Sequence, residues 1–445
     1  MEISKQDLDR LRWWQKSTFL VMLFGYVGYY ICRKNLSAAF PLMNQSFGYT
    51  NEQLGLIAAW SEIAYAIGKF INGPLGDRLG GRKIFLVGMA GAILFNIIFS
   101  QLSSLSGFII CWCMCRYFLS MGWGGIAKTI GAWFEPEKNG TVMGFISLNF
   151  QFGGVVATLF AGYLVSLGCS WDKLFLYPAL VLSGIFIWSF LCSKASPQDL
   201  IPGVKFGQNA SEKKTLLTTE DTKAGEAPNP MEIIKKLLSM KLFRQLLLFS
   251  FITTLLRSIF FFWTPKMLVD IGMGNSGAIL KSALFPFLGC LGTILLGWYT
   301  DKYATNGDRA KAMWIMLTGL ALCLFSVGAL IPSTLESKSP AMLNLIVLLI
   351  GGSGFFLLGP YSMSSGCLTL DIAGSEGAGS CTGMIDGVGY LGGAMASWGA
   401  GILSTKLGWA GVFNLLGFCS LFAIGSAFMM SRQFQAIAAQ KDSED

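Results

Sequence analysis

Histidine is absent from this 445-residue chain. That absence excludes imidazole acid–base catalysis, histidine metal sites and histidine proton relays. Charge is also scarce. Only 13% of the residues are charged, against about a quarter in a typical soluble domain. So few charges cannot wrap a water-soluble body of 48.3 kDa, and the mean hydropathy of +0.56 says the same. With 53% of the residues apolar, lipid must cover most of the surface. The net charge of +8 is modest and gives no reason to expect nucleic acid. The 11 cysteines show no pairing pattern. Most lie in apolar runs, as Cys111, Cys113 and Cys115 do, and read as buried thiols instead of a disulfide framework. No nucleophile–base pair or metal cluster is visible, so neither an enzyme nor a bound cofactor is expected.

Apolar runs are abundant. A bilayer core requires about 20 mainly apolar residues per helix. Such runs fall near residues 19–42, 53–75, 84–102, 107–128, 142–164 and 174–191. A second set falls near 246–267, 278–299, 312–331, 341–363, 379–403 and 412–430. The expected fold is therefore an all-α membrane protein of twelve transmembrane helices. Residues 1–193 form an N-terminal six-helix bundle, 194–244 a polar cytoplasmic loop, and 245–445 a C-terminal six-helix bundle. Residues 1–16 are polar and mixed in charge, unlike a cleavable signal. With both termini cytoplasmic, 22 of the 33 Lys and Arg residues fall in cytoplasmic segments. Only Lys173, Lys266, Lys338 and Lys406 fall outside, which fixes the expected orientation.

The two halves repeat. Gly73-Pro-Leu-Gly-Asp77-Arg78-Leu-Gly80-Gly-Arg82-Lys83 follows the second span, and Gly297-Trp-Tyr-Thr-Asp301-Lys302 follows the eighth. Asp301 lies 224 residues after Asp77, and the same offset relates Arg257 to Arg33 and Pro265 to Pro41. Each match alone is commonplace, but the shared register marks a duplicated six-helix unit. The loop over residues 73–83 resembles the signature of the major facilitator superfamily. That resemblance implies alternating access around a site near the membrane midplane. Asp77, Arg78, Arg82, Asp301 and Lys302 are then the expected conformational latch.

A charge at the centre of a membrane helix costs about 2.5–3.5 kcal/mol on insertion scales, so it normally faces a cavity and has a function. Arg33 and Arg257 occupy equivalent places in spans 1 and 7. Two guanidinium forks match phosphate oxygens. The alternative is that each pairs structurally with a buried acid, yet Glu62 and Asp386 are the only clear acids within the spans. An anion site is therefore the better reading. Tyr26, Tyr30 and Arg33 share one helix face, as do Glu62, Tyr65 and Lys69.

The segment Tyr26-Val-Gly-Tyr-Tyr30-Ile-Cys-Arg33-Lys34-Asn35 resembles helix 1 of the organophosphate:phosphate antiporters. Ala64-Tyr65-Ala-Ile-Gly-Lys69-Phe70 is similar to their helix 2. Gly122-Trp123 with Lys128, and Trp133-Phe-Glu-Pro136, are similar to helix 4 and its loop. Arg257 with Trp263-Thr-Pro265, and Gly389-Tyr390-Leu-Gly-Gly393, are similar to helices 7 and 11. The resemblance implies phosphate binding by Arg33 and Arg257, with Tyr26, Tyr30, Tyr65, Lys69, Gln151 and Tyr390 lining the site. It also implies exchange of a phosphate ester, best a hexose 6-phosphate, for inorganic phosphate. No partner beyond those anions and the bilayer is implied, and a monomer in a cell (inner) membrane is expected.

There are departures from the pattern. Phe150 and Gln151 stand where glycerol-3-phosphate carriers have His and Asn, and Leu358 replaces a tyrosine of helix 10. Glu62, Arg116 and Asp386 are unlike those carriers. Asp386 could accept bonds from sugar hydroxyls, neutralise Arg116 or Arg257, or form a structural pair between helices. A transporter-shaped receptor for sugar phosphate, or a proton-coupled symporter using Asp386 or Glu62, are the rival readings.

Overall fold

A computed structural model describes residues 4–134, 142, 146, 149–202, 204, 235, 237–303, 308–365 and 367–442. Side chains 74, 77, 150, 301, 365, 367, 369–380 and 437–442 fall outside that description. The described residues form helices separated by short turns, with no strand among them. In chain order these are α1 (Lys5–Phe47), α2 (Asn51–Leu79), α3 (Gly81–Phe99), α4 (Leu105–Trp133), α5 (Asn149–Ser166) and α6 (Lys173–Cys192). Then follow α7 (Lys241–Asp270), α8 (275–303), α9 (Ala310–Ser337), α10 (Pro340–Ser365), α11 (Cys367–Lys406) and α12 (Gly408–Asp442). α4 is interrupted at Ser120, between Leu105–Leu119 and Met121–Trp133. α8 is interrupted at Ala283, between Asn275–Ser282 and Leu284–Tyr303.

These twelve helices coincide with the twelve apolar runs. Among the described residues, nine are long and apolar enough to cross a bilayer on length and composition alone. α1, α5 and α11 are the exceptions. α1 carries Arg33 and Lys34 mid-helix, the apolar stretch of α5 is short, and α11 is rich in Gly and Ser. Exposed large apolar side chains such as Ile110, Leu322 and Phe422 dot the outer faces, as lipid solvation requires.

The chain divides into two compact units, Met1–Phe47 with Trp60–Glu212, and Gly48–Ala59 with Lys213–Asp445. In the first, α1 packs on α5 and α6, while α3 packs on α4 and α6. In the second, α7 packs on α11 and α12, while α9 packs on α10 and α12. The 224-residue repeat is thus also a repeat of packing.

Within lipid no hydrophobic force draws helices together, so close backbone approach and a few polar ties do so. A polar tie joins three helices of the first unit. Asn35 Nδ2 donates to Asn96 Oδ1 at 2.6 Å, and Asn96 Nδ2 donates to the Ala92 carbonyl at 2.8 Å and to Cys115 Sγ at 3.3 Å. Close approach is clearest between α8 and α10. A Cβ on Gly292 would stand 2.0 Å from the Phe355 carbonyl oxygen, and one on Gly354 would stand 2.0 Å from that of Phe285. The α2–α3 turn needs glycine for two reasons. Gly80 adopts a left-handed φ of 86°, and a Cβ on Gly81 would meet the Gly125 carbonyl oxygen of α4 at 2.6 Å. No disulfide joins the described cysteines.

The Gly354→Ala substitution is expected to destabilise the protein by about 1–3 kcal/mol, because a backbone carbonyl cannot move aside. Gly184→Ala, where a Cβ meets nothing within 4 Å, should shift stability by less than about 0.5 kcal/mol. Thermal unfolding of the detergent-solubilised variants separates the two; equal melting temperatures would refute the close-approach account.

Candidate functional site

The first unit builds its polar centre from α1, α2 and α4. Tyr26, Tyr30 and Arg33 follow one another along α1 and are all buried, Arg33 at 5% exposure. Glycines on neighbouring helices make room for the rings. A Cβ on Gly122 of α4 would touch Tyr26 and Tyr29 at 3.0 Å, and one on Gly153 of α5 would touch Tyr30 at 3.0 Å. Trp123 stands 6.0 Å from Tyr26 between centroids, so the Gly122-Trp123 pair serves as seat and wall for the α1 tyrosines.

α2 is fastened to α4 at the Ser120 break. Asn72 Nδ2 donates to Ser120 Oγ at 2.7 Å, and Gly68 lies against that same serine. One helical turn away, this packing sets Glu62 and Tyr65 opposite Arg116. The Tyr65 ring is the hub. Arg33 Cζ lies 4.6 Å from its centroid, Arg116 Cζ 4.4 Å and Lys69 Nζ 5.6 Å. Arg33 Nη1 also donates to Tyr65 Oη at 3.4 Å, and the Arg33 guanidinium lies 5.4 Å from the Tyr30 centroid. A negative π face attracts cations most strongly where water is excluded. Arg116, fully buried, pairs with Glu62 through Nη2 and Oε1. The acid paired with Arg116 is thus Glu62, brought there because α2 and α4 are neighbours.

Arg257 is the centre of the second unit's cluster. It is 9% exposed, and its guanidinium lies 4.8 Å from the Tyr361 ring of α10 and 5.4 Å from Phe261. α11 approaches α7 through two glycines of the Gly389–Gly393 motif. A Cβ on Gly389 would meet Thr254 Oγ1 at 2.6 Å, and one on Gly392 would meet the Phe251 carbonyl at 2.5 Å. Ser250 Oγ donates to the Ile385 carbonyl at 3.0 Å across the same seam. The motif thereby holds Tyr390 buried and Asp386, a turn earlier, half-buried. At the far end of α7, Trp263 Nε1 donates to the Ser397 carbonyl at 3.1 Å. Lys266 pairs with Asp270, which also accepts from Trp409 Nε1 at 2.9 Å.

The sequence-derived candidates therefore fall into two groups. Arg33, Tyr30, Tyr65 and Lys69 meet directly in the first unit, with Tyr26 against Tyr30 at 5.5 Å between centroids. Gln151 is buried on α5. Tyr361 escaped sequence reading: Leu358 occupies the expected tyrosine position, but the ring comes from three residues further along, beside the surviving Gly359-Pro360. Of the latch candidates, Arg82 Nε donates to Ser193 Oγ at 2.9 Å and its Nη2 to the Phe190 carbonyl at 2.6 Å. Arg78 is exposed, and Lys302 is exposed with its ammonium 5.1 Å from the Tyr303 ring. The side chains of Asp77, Asp301 and Phe150, and residues Glu135 and Pro136, lie outside the described residues. Among the described residues no group of acids and cysteines could hold a metal ion.

These features define a multi-pass membrane protein with buried cations in both of its helical units. Residues 22–397 match the Major Facilitator Superfamily, and the chain belongs to that family. It is 26% identical to a probable hexose phosphate transport protein of Chlamydia muridarum, covering 95% of this chain and 92% of that protein. It is 26% identical to a glycerol-3-phosphate transporter of Bacillus subtilis, over 95% and 94%. To the membrane sensor protein UhpC of Escherichia coli it is 24% identical, over 93% and 91%. Among solved structures, a bacterial homolog of the human lysosomal transporter Spinster superposes with a TM-score of 0.73 at 16% identity, over 95% and 98%. A D-xylose–proton symporter follows with a TM-score of 0.71 at 15% identity, over 94% and 97%. Both confirm the fold.

Arg116→Leu leaves the Glu62 carboxylate buried without its cation, and a loss of about 3–5 kcal/mol of stability is expected. The double substitution Arg116→Leu with Glu62→Leu should recover most of that loss. Thermal unfolding of both variants tests this; a double variant no more stable than the single one would overturn the pairing.

Proposed function

We propose that this protein is an organophosphate carrier that exchanges a phosphorylated sugar, best a hexose 6-phosphate, for inorganic phosphate by alternating access. The observation that carries this reading is the gathering of Arg33, Lys69 and Arg116 around one tyrosine ring, with Arg257 on a second. The printed names of the transporter relatives support the ester class. Arg33 and Arg257 bind the phosphate moiety as bidentate forks, one from each unit. Lys69 adds a point charge, and the hydroxyls of Tyr26, Tyr30, Tyr65 and Tyr390 with Gln151 complete the lining. Asp77, Arg78, Arg82, Asp301 and Lys302 act as the latch during rocking.

Exchange follows from electrostatics. Within the spans, the cations at positions 33, 34, 69, 116 and 257 outnumber two acids, Glu62 and Asp386. A site with excess positive charge is poorly stabilised in a dry occluded state, so reorientation without an anion is slow. Either phosphate or its ester neutralises the site and permits the return. The two anion gradients then supply the driving force, and no nucleotide is consumed. The protein sits in the cell (inner) membrane with both termini cytoplasmic and works as a monomer.

The test is uptake of labelled glucose-6-phosphate and glycerol-3-phosphate into proteoliposomes loaded with phosphate, beside empty vesicles and Arg33→Lys. Exchange predicts entry only into loaded vesicles and a loss of at least about 100-fold in the variant, because an ammonium cannot reproduce a bidentate fork. Uptake that needs a proton gradient but no internal phosphate would overturn antiport. Ester binding without entry would favour a receptor, a reading supported by the likeness to a membrane sensor.

With no histidine in the chain, pH dependence near neutrality should follow the substrate's second phosphate ionisation, at about 6. Transport is expected to rise with pH through that value and to move with it when a phosphonate of higher pKa replaces the ester. A profile indifferent to the substrate's pKa would refute this.

A further inference from the structure

Glu62 is a carboxylate sealed inside the membrane at 2% exposure. One oxygen, Oε1, accepts from Arg116, whereas Oε2 accepts no hydrogen bond among the described residues. Burying an acceptor without a donor is costly, and more so for a charged group. Toward Arg116 the carboxylate acts as an acceptor, and a carboxylate oxygen in an ion pair offers only lone pairs. A donor that enters the site would satisfy it.

The position of Glu62 says which part of a substrate could supply it. Glu62, Tyr65 and Lys69 share one face of α2, and Lys69 lies about 10 Å further along the axis at 1.5 Å per residue. Arg116, bonded to Glu62, is also in contact with the Tyr65 ring that Arg33 and Lys69 approach. The cations of this face suit a phosphate, but a phosphate ester dianion has no proton to offer a carboxylate. The hydroxyls of its carbon skeleton do.

We propose that Glu62 Oε2 is a specificity site that accepts a hydrogen bond from one hydroxyl of a polyhydroxylated phosphate ester, with Arg116 holding the carboxylate in place. The assignment rests on the carrier reading and deepens it. It selects esters that present a hydroxyl to Glu62 while the phosphate is held beside Lys69 and Arg33, which a polyhydroxylated sugar phosphate offers in more positions than a three-carbon ester. It also gives a reason for an acid on this face of α2.

The test is competition by glucose-6-phosphate and its singly deoxygenated analogues against labelled glucose-6-phosphate in phosphate-loaded proteoliposomes. A hydrogen bond to a charged acceptor predicts that one analogue binds about 10–100-fold more weakly to the unsubstituted protein, the others less so. In Glu62→Gln that particular penalty is expected to shrink to within about threefold, because the charged acceptor is gone. The analogue series on the unsubstituted protein stands even where the variant does not fold. Equal binding of all the deoxy analogues, or a penalty that survives in Glu62→Gln, overturns the Glu62 assignment while leaving the carrier reading intact. Failure of the unsubstituted protein to bind both phosphate and any ester overturns the carrier reading itself.

Discussion

Positive charge held inside a membrane is the constraint on which the rest of this structure depends. A guanidinium in hydrocarbon costs kilocalories that no helix propensity can offset. The first unit meets that cost with aromatic faces and one acid. Tyr65 lies within cation–π reach of Arg33, Arg116 and Lys69 together, and Glu62 closes the ion pair with Arg116. The second unit meets it with Tyr361 and Phe261 around Arg257. In both units the cation sits on the first helix of the repeat, and a ring from another helix steadies it.

Those rings can reach the cations only because the helices run very close together. Gly68 and Asn72 bind α2 to α4 at Ser120, and Gly122 and Gly153 admit the tyrosines of α1. Gly389 and Gly392 let α11 lie against α7. The family-like motifs therefore divide the labour. Their charged and aromatic members form the buried cation–ring clusters, and their glycines set the distances at which those contacts are made.

The scarcity of acids and the lack of histidine bear on mechanism together. A carrier of anions benefits from spans in which cations outnumber acids and no histidine is present. Glu62 is tied up by Arg116, so it moderates the charge without abolishing it. In the proposed carrier an anion that completes the neutralisation is what permits reorientation, so that the charge balance of the spans would itself couple the two fluxes.

The sequence by itself determined the twelve helices, their division into two repeated halves and the candidate cations. The reason is physical: a bilayer reads hydropathy locally, so a run of about 20 apolar residues is a helix wherever it occurs. A charge inside such a run is conspicuous for the same reason. Arg33, Lys69 and Arg257 stood out without any neighbour being known. Only the tertiary structure decided which groups face those cations. Tyr361 meets Arg257, although Leu358 stands where the resembled carriers have a tyrosine, because the packing of α10 on α7 chooses the ring that reaches the cation. Glu62 became a partner of Arg116 because Ser120, Gly68 and Asn72 lock α2 onto α4. Such pairings lie between residues dozens of positions apart, and helical periodicity carries no information about which faces meet.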